Sequence, residues 1–174
     1  MSMKILRWIL PIGLVYGAFA YAGSGDVSSF TGKAVPAFSV TSFAGKTVSN
    51  ASLKGKPHIL DFWATWCGPC KAASPTMQAI HKKLAGKGLV VIGANMGETP
   101  KSLIQAKKYP KEHGYTYTFT AKNDKLATAL GISGIPCFIF VGKDGKIKAV
   151  RTGFNPGSSP AGQHSTVWRH FEGT

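Results

Sequence analysis

Apolar and polar positions along the chain fall into short blocks that alternate between strand-like and helix-like spacing. Residues 37–48 hold short apolar runs around Phe43-Ala44-Gly45-Lys46, the pattern of a hairpin. Lys54-Gly55-Lys56-Pro57 reads as a turn. His58–Trp63 (HILDFW) is an apolar run interrupted by one acid and predicts a buried strand. Residues 70–84 place Met77, Ile80 and Leu84 at helical spacing, with Pro75 as a kink. Residues 89–94 (LVVIGA) predict a second buried strand. Pro100 opens a helix to about His113, because proline suits a first turn. Residues 116–120 predict a third strand, and Asp124 reads as the cap of a helix over 125–130. Cys137–Val141 and residues 147–150 flank Gly142-Lys143-Asp144-Gly145, a hairpin with an Asp-Gly turn. The order strand, helix, strand, helix, strand, helix, strand, strand predicts an α/β sandwich with a mixed sheet. Val167, Trp168 and Phe171 form one short helical face near the C-terminus.

The N-terminus changes the picture. Lys4 and Arg7 precede an uncharged stretch, residues 8–22, that ends in Ala20-Tyr21-Ala22. A charged start, a short apolar run and small residues at its end are the build of a secretory signal. A full membrane span needs roughly 20 apolar residues, so cleavage after Ala22 is the first expectation and an N-terminal membrane anchor the second. Residues 1–22 are then signal peptide or anchor, 23–31 a linker and 32–174 the folded domain. Either way the domain is periplasmic or otherwise extracytoplasmic. The 174 residues suit a single domain. Twenty-one Lys and Arg against seven Asp and Glu give +14, a balance that favours acidic partners or an anionic membrane face. No nucleic-acid module is recognisable. Three cysteines are too few for a disulfide-stapled scaffold, and their odd number forbids complete internal pairing.

Two of those cysteines carry the chemistry. Trp66-Cys67-Gly68-Pro69-Cys70 follows directly on the strand His58–Trp63 and opens a helix. A helix N-terminus offers unpaired N–H groups and the positive end of the helix dipole, and both favour a thiolate. Cys67 is expected there, exposed and with a lowered pKa. Cys70 lies one turn on, within reach of it. Attack by Cys67 on a disulfide gives a mixed disulfide, and Cys70 resolves it to leave a Cys67–Cys70 bond. No second CxxC or suitably spaced histidine pair supports zinc. A structural disulfide closing so small a loop adds little stability. Asp61, inside its apolar run, is costly without a role and reads as a raised-pKa proton acceptor for Cys70. Trp66 is expected to shield the site.

These residues resemble the thioredoxin superfamily. Residues 61–71, from Asp61 through the WCGPC run to Lys71, look like its active-site signature. Gly134-Ile135-Pro136 looks like the loop that carries its cis-proline. The lead-in at 32–38, with Gly45-Lys46 and Gly55-Lys56-Pro57, is similar to the exported TlpA/ResA-type, redoxin-like branch. The resemblance implies a thioredoxin-like three-layer sandwich: a mixed central sheet flanked by helices, with an N-terminal β-hairpin extension. It implies that Pro136 is cis and that Ile135 offers its backbone to an extended substrate peptide. Trp66, Gly68 and Pro69 would border that peptide. It also implies thiol–disulfide exchange, often on apocytochrome c before haem attachment, with no cofactor beyond the redox-active disulfide.

Three departures limit what is carried over. The branch often has Glu three residues after the second cysteine, and this chain has Ala73. Asp61 matches thioredoxins proper, where many exported relatives have Asn. Cys137 stands directly after Pro136, where a small residue such as Thr is usual. It reads first as a small buried residue of a core strand, and second as a thiol able to meet the CxxC sulfurs or to complete a Cu(I) site. The sequence reading is therefore a reductase of protein disulfides, turned over by a membrane electron-donor thiol carrier. Its alternatives are a thiol peroxidase, which lacks the expected Pro-x-x-x-Thr-x-x-Cys run, and a Cu(I) metallochaperone using Cys67, Cys70 and Cys137.

Overall fold

β3 (His58–Trp63) is the hub, and all six of its residues are buried. A strand buried on both faces needs a neighbour on each edge and a layer above and below. The computed structural model describes residues 26–155, and it supplies all four. β4 (Val90–Asn95) runs parallel to β3, and β5 (Thr118–Thr120) runs parallel to β4. β6 (Cys137–Val141) is antiparallel to β3 on its other edge, and β7 (Ile147–Thr152) is antiparallel to β6. The sheet order is thus β5-β4-β3-β6-β7. A separate hairpin, β1 (Ser39–Thr41) and β2 (Thr47–Ser49), precedes it.

Alternation along β3 divides the core. Ile59 and Trp63 enter one apolar layer, which contains Ala73, Met77 and Ile80 of α1 (Gly68–Leu84) and Ala106 and Tyr109 of α2 (Pro100–Glu112). Leu60 and Phe62 enter the other, with Leu126 and Ala127 of α3 (Asp124–Ala129) and Val35 and Val48 from the N-terminal region. Side chains on a strand alternate between faces, so Asp61 belongs to the α1–α2 layer and Cys137, opposite Phe62, to the other. These are the three layers and the mixed sheet expected from the sequence.

The hairpin protects an edge. Phe43 N–H donates to Phe119 O at 2.8 Å, and Ala121 N–H donates to Thr41 O at 3.2 Å. The open side of β5 is thereby paired rather than left as a template for association.

Boundaries differ from expectation where tertiary contacts decide. α1 runs through Pro75 unbroken from Gly68. β5 begins two residues later than the 116–120 reading, and β7 extends to Thr152. Asp124 is the first residue of α3 and not its cap; its carboxylate accepts from Gly97 N–H at 2.8 Å instead. Within the expected linker, Val27–Phe30 form a 3-10 turn with Val27 in the core. The signal or anchor at 1–22 and the helical face at 167–171 lie outside the described residues.

Gly93, the β4 neighbour of Asp61, has no room for a side chain. A Cβ there would lie 2.7 Å from Phe119 Cδ1. Gly93→Ala is expected to destabilise the fold by about 1–3 kcal/mol through overpacking, read from urea unfolding. An unchanged midpoint would contradict the packing described.

Candidate active site

The two cysteines sit where β3 hands the chain to α1. Cys67 is the N-cap residue of α1, with Pro69 in the first turn. Its Sγ accepts a hydrogen bond from Cys70 N–H at 3.2 Å. A sulfur that takes a helix's orphan N–H also faces the positive end of the helix dipole. The pair is joined as a disulfide, with S–S 2.00 Å and Cα–Cα 5.3 Å. One expectation is corrected here: Cys67 is only 5% exposed and Cys70 2% in this oxidised form. Both cysteines are buried, and the exposed surface beside them is that of Trp66, Gly68 and Pro69.

The approach to Cys67 is held by a loop that sequence reasoning missed. Glu98 Oε1 accepts from Thr65 N–H at 2.6 Å and from Asn95 Nδ2 at 3.0 Å, and Oε2 accepts from the Thr65 hydroxyl at 2.8 Å. Burial alone would raise the Glu98 pKa; hydrogen bonds from Ser102, Thr65 and Asn95 outweigh it and hold the carboxyl below its usual range. Trp66 Nε1–H donates to Gly97 O at 2.9 Å. Gly97 has φ +66°, and a Cβ on it would lie 3.3 Å from the Trp66 ring. Trp66 is therefore fixed yet 64% exposed. It presents a flat aromatic face to solvent beside the buried cysteines. In the sequence, Glu98-Thr99-Pro100 looks only like a helix start, so the link to Thr65 carries no local signal.

Asp61 lies beneath this surface, 2% exposed. Its strand neighbours are Gly93 and Phe138, and among the described residues no hydrogen bond reaches its carboxylate. Burial pushes its pKa up to about 7. On the α1 side, the Ser74 hydroxyl donates to Cys70 O at 3.2 Å.

The third loop is Gly134-Ile135-Pro136. The Ile135–Pro136 peptide bond is cis, as the resemblance implies. β6 starts opposite the end of β3, with Cys137 paired to Phe62, so this loop and the cysteine loop share one end of the sheet. Ile135 packs on both apolar layers. Among the described residues its main-chain N–H and C=O make no hydrogen bond. Cys137 does not join the site: it is fully buried in the α3 layer, away from the cysteine layer. Burial pushes its thiol up to about 11. The three-cysteine Cu(I) site is therefore not formed, and among the described residues no cluster of three metal-ligating side chains exists.

The profile of the AhpC/TSA family matches residues 31–150. The chain belongs to that family. Within it, the chain groups with the ResA-like thiol–disulfide oxidoreductases. It is 31% identical over 150 residues to the thiol-disulfide oxidoreductase ResA of Bacillus subtilis (strain 168), covering 86% of this chain and 81% of that one. It is 33% identical over 117 residues to ResA of Bacillus thuringiensis (strain Al Hakam), covering 67% of this chain and 66% of the relative. The crystal structure of a thiol:disulfide interchange protein, a thioredoxin family protein from Chlorobium tepidum TLS, superposes with a TM-score of 0.67 at 31% identity, over 79% of this chain and 94% of that one. The thioredoxin-like fold of this AhpC/TSA member agrees with that solved structure, and the Cys67–Cys70 disulfide fits the CXXC dithiol of a thiol–disulfide oxidoreductase.

The buried acid gives a pH signature in stability. Asp61 ionises near 3.8 when solvated and near 7 in the fold. Between those values the folded state keeps a proton that the unfolded state has released, so stability falls as pH rises. The penalty is absent below pH 3.8 and complete above about 7, with an upper figure of about 4 kcal/mol. Asp61→Asn is expected to remove this slope and to be the more stable form above pH 7. A wild-type unfolding profile as flat as that of Asp61→Asn would contradict the burial of an ionisable carboxyl.

Proposed function

We propose that the Cys67–Cys70 pair reduces protein disulfides outside the cytosol. The observation that carries this is the placement of Cys67 Sγ as the cap of α1, accepting from Cys70 N–H. In the reduced protein that position stabilises a thiolate. The Cys67 thiolate attacks one sulfur of a substrate disulfide, and the other substrate sulfur leaves and takes up a proton. Asp61 accepts the proton of Cys70. The Cys70 thiolate then attacks Cys67 Sγ, a Cys67–Cys70 bond forms, and the second substrate sulfur leaves as a thiol. Two electrons have passed to the substrate. An extended peptide docks along Ile135, whose main chain is unengaged among the described residues, with Trp66, Gly68 and Pro69 as its border. No helix among the described residues is long and apolar enough to cross a membrane. The signal-like segment at 1–22 supports export, with the N-terminus as the route to any membrane association.

Repeated reduction outside the cytosol requires a membrane thiol carrier as electron donor. The resemblance to the ResA-type branch points to apocytochrome c thiols among the clients. Two measurements test the reading. Cys70→Ala removes the resolving thiol, so mixed disulfides with clients are expected to accumulate on Cys67 and not in Cys67→Ala. Equilibration with glutathione is expected to give a potential nearer the about −270 mV of thioredoxin than the about −120 mV of DsbA. A value near the latter would make the protein an oxidant. Cys67-dependent consumption of peroxide would replace the reading with the thiol peroxidase one.

A further inference from the structure

The lysines of this basic chain are unevenly placed along the sheet. β3 runs from His58 to Trp63, and the cysteines follow its far end. Its near end gathers lysines from separate segments. The turn before β3 brings Lys54 and Lys56, and Pro57 O accepts from Val90 N–H at 3.0 Å where β4 begins. α1 returns from the cysteines to this end with Lys82 and Lys83 in its last turn, and α2 does so with Lys111. Val141 pairs with His58, so the turn between β6 and β7 sets Lys143 and Lys146 here. Lys33 joins them, because Gly32 N–H donates to Ile147 O at 2.8 Å and Ile147 N–H to Lys33 O at 2.9 Å. All of these lysines are exposed. The acids near them are Glu112, Asp144 and, on the lead-in, Asp26, and Asp144 is already bonded to Lys148 at 2.9 Å. At the cysteine end the cations, Lys71, Lys101, Lys122, Lys125 and Arg151, are fewer, and Glu98 and Asp124 stand in the same segments.

Two further observations bear on what covers this face. Gly32 follows Ala22, the end of the signal-like stretch, by only ten residues, and Gly32 is hydrogen-bonded at the lysine end. The uncharged segment is therefore joined to the domain on the side of the lysines and not on that of the cysteines. A cavity of about 430 Å³ also opens there, with Lys54 and Lys143 on it and Phe38, Leu53 and the buried His58 in its wall. Cations beside an apolar wall match a phosphate headgroup with the start of its acyl chain.

We propose that the end of the domain opposite the cysteines seats on an anionic lipid surface, its lysines among the headgroup phosphates. Each lysine brought to such a surface strengthens partition by about fivefold, and the attraction fades within a Debye length. A face assembled from several segments therefore binds in one orientation, which a lone basic run would not impose. With the His58 end of β3 on the lipid, its far end stands roughly 20 Å further into the aqueous compartment. Clients and electron donor then both meet Cys67 on the aqueous side.

The test is lysine footprinting of the full chain on vesicles of phosphatidylcholine, alone or with about one third phosphatidylglycerol. A water-soluble acetylating reagent is applied and each lysine is followed by mass spectrometry. Because the whole chain is present on both kinds of vesicle, the N-terminal segment contributes equally to the two. Lys82, Lys83, Lys143 and Lys146 are expected to react about fivefold or more slowly on the anionic vesicles, with Lys101 and Lys125 unchanged, and the difference should vanish at about 0.5 M salt. Replacing Lys82, Lys83, Lys143 and Lys146 by Gln is expected to abolish the protection of Lys33 and Lys54, while replacing Lys101, Lys122 and Lys125 by Gln leaves it in place. Reduction of a small soluble disulfide should proceed at the parent rate in the first variant, which shows it folded. Equal protection at both ends, or none on anionic vesicles, overturns the proposal. Protection of the same lysines by polyglutamate and not by the anionic vesicles would make the partner an acidic protein and overturn it as well.

Discussion

The first turn of α1 is the constraint around which the site is arranged. A helix leaves its first N–H groups without partners, and here one of them, on Cys70, points at the sulfur of Cys67. The geometry follows from the chain itself. β3 ends at Trp63, Cys67 N–H turns back to Ala64 O at 3.2 Å, and Pro69 enters the first turn where no amide donor is required. The Glu98 bridge to Thr65 and the Trp66 bridge to Gly97 then stop this short connection from fraying. Thiol chemistry at Cys67 is thus a consequence of how one strand is joined to one helix.

The second cysteine needs the opposite environment. Cys67 is favoured as an anion by the helix, whereas Cys70 sits within the helix and must be deprotonated on demand. In the proposed reaction Asp61 meets that need: burial raises its pKa to about 7, where a carboxyl can take up a proton and give it back. The cost of burying Asp61 is borne by the rest of β3, whose other five residues lie in the two apolar layers or at its buried start. Stability is given up at one position in the most secure strand of the sheet, where the loss is tolerated.

Much of this was legible in the chain, and the limits have a physical pattern. His58–Trp63 could be read because a two-sided buried strand leaves a continuous apolar run, and Asp61 stood out against it. The cysteine run and the Gly-Ile-Pro loop announced themselves through local backbone requirements. Contacts between distant segments left no such trace. Glu98 reaches 33 residues back to Thr65. For Cys137 the first reading, a small buried residue of a core strand, holds, and the second, a thiol near the other cysteines, fails because its position after Pro136 fixes its end of the sheet and not its face. Strand alternation against Phe62 settles the face. Asp124 looked like a cap by its residue type, yet the nearer demand was the N–H of Gly97.

The central claim is that the fold holds the Cys67 sulfur as a thiolate at neutral pH. It is tested by the rate of iodoacetamide alkylation of Cys67 against pH in the reduced protein, with Cys70→Ala to isolate the site. The account predicts a midpoint well below the roughly 8.5 of free cysteine, and in the unsubstituted protein Cys70 reacting far more slowly. A Cys67 midpoint at the free-cysteine value would contradict it.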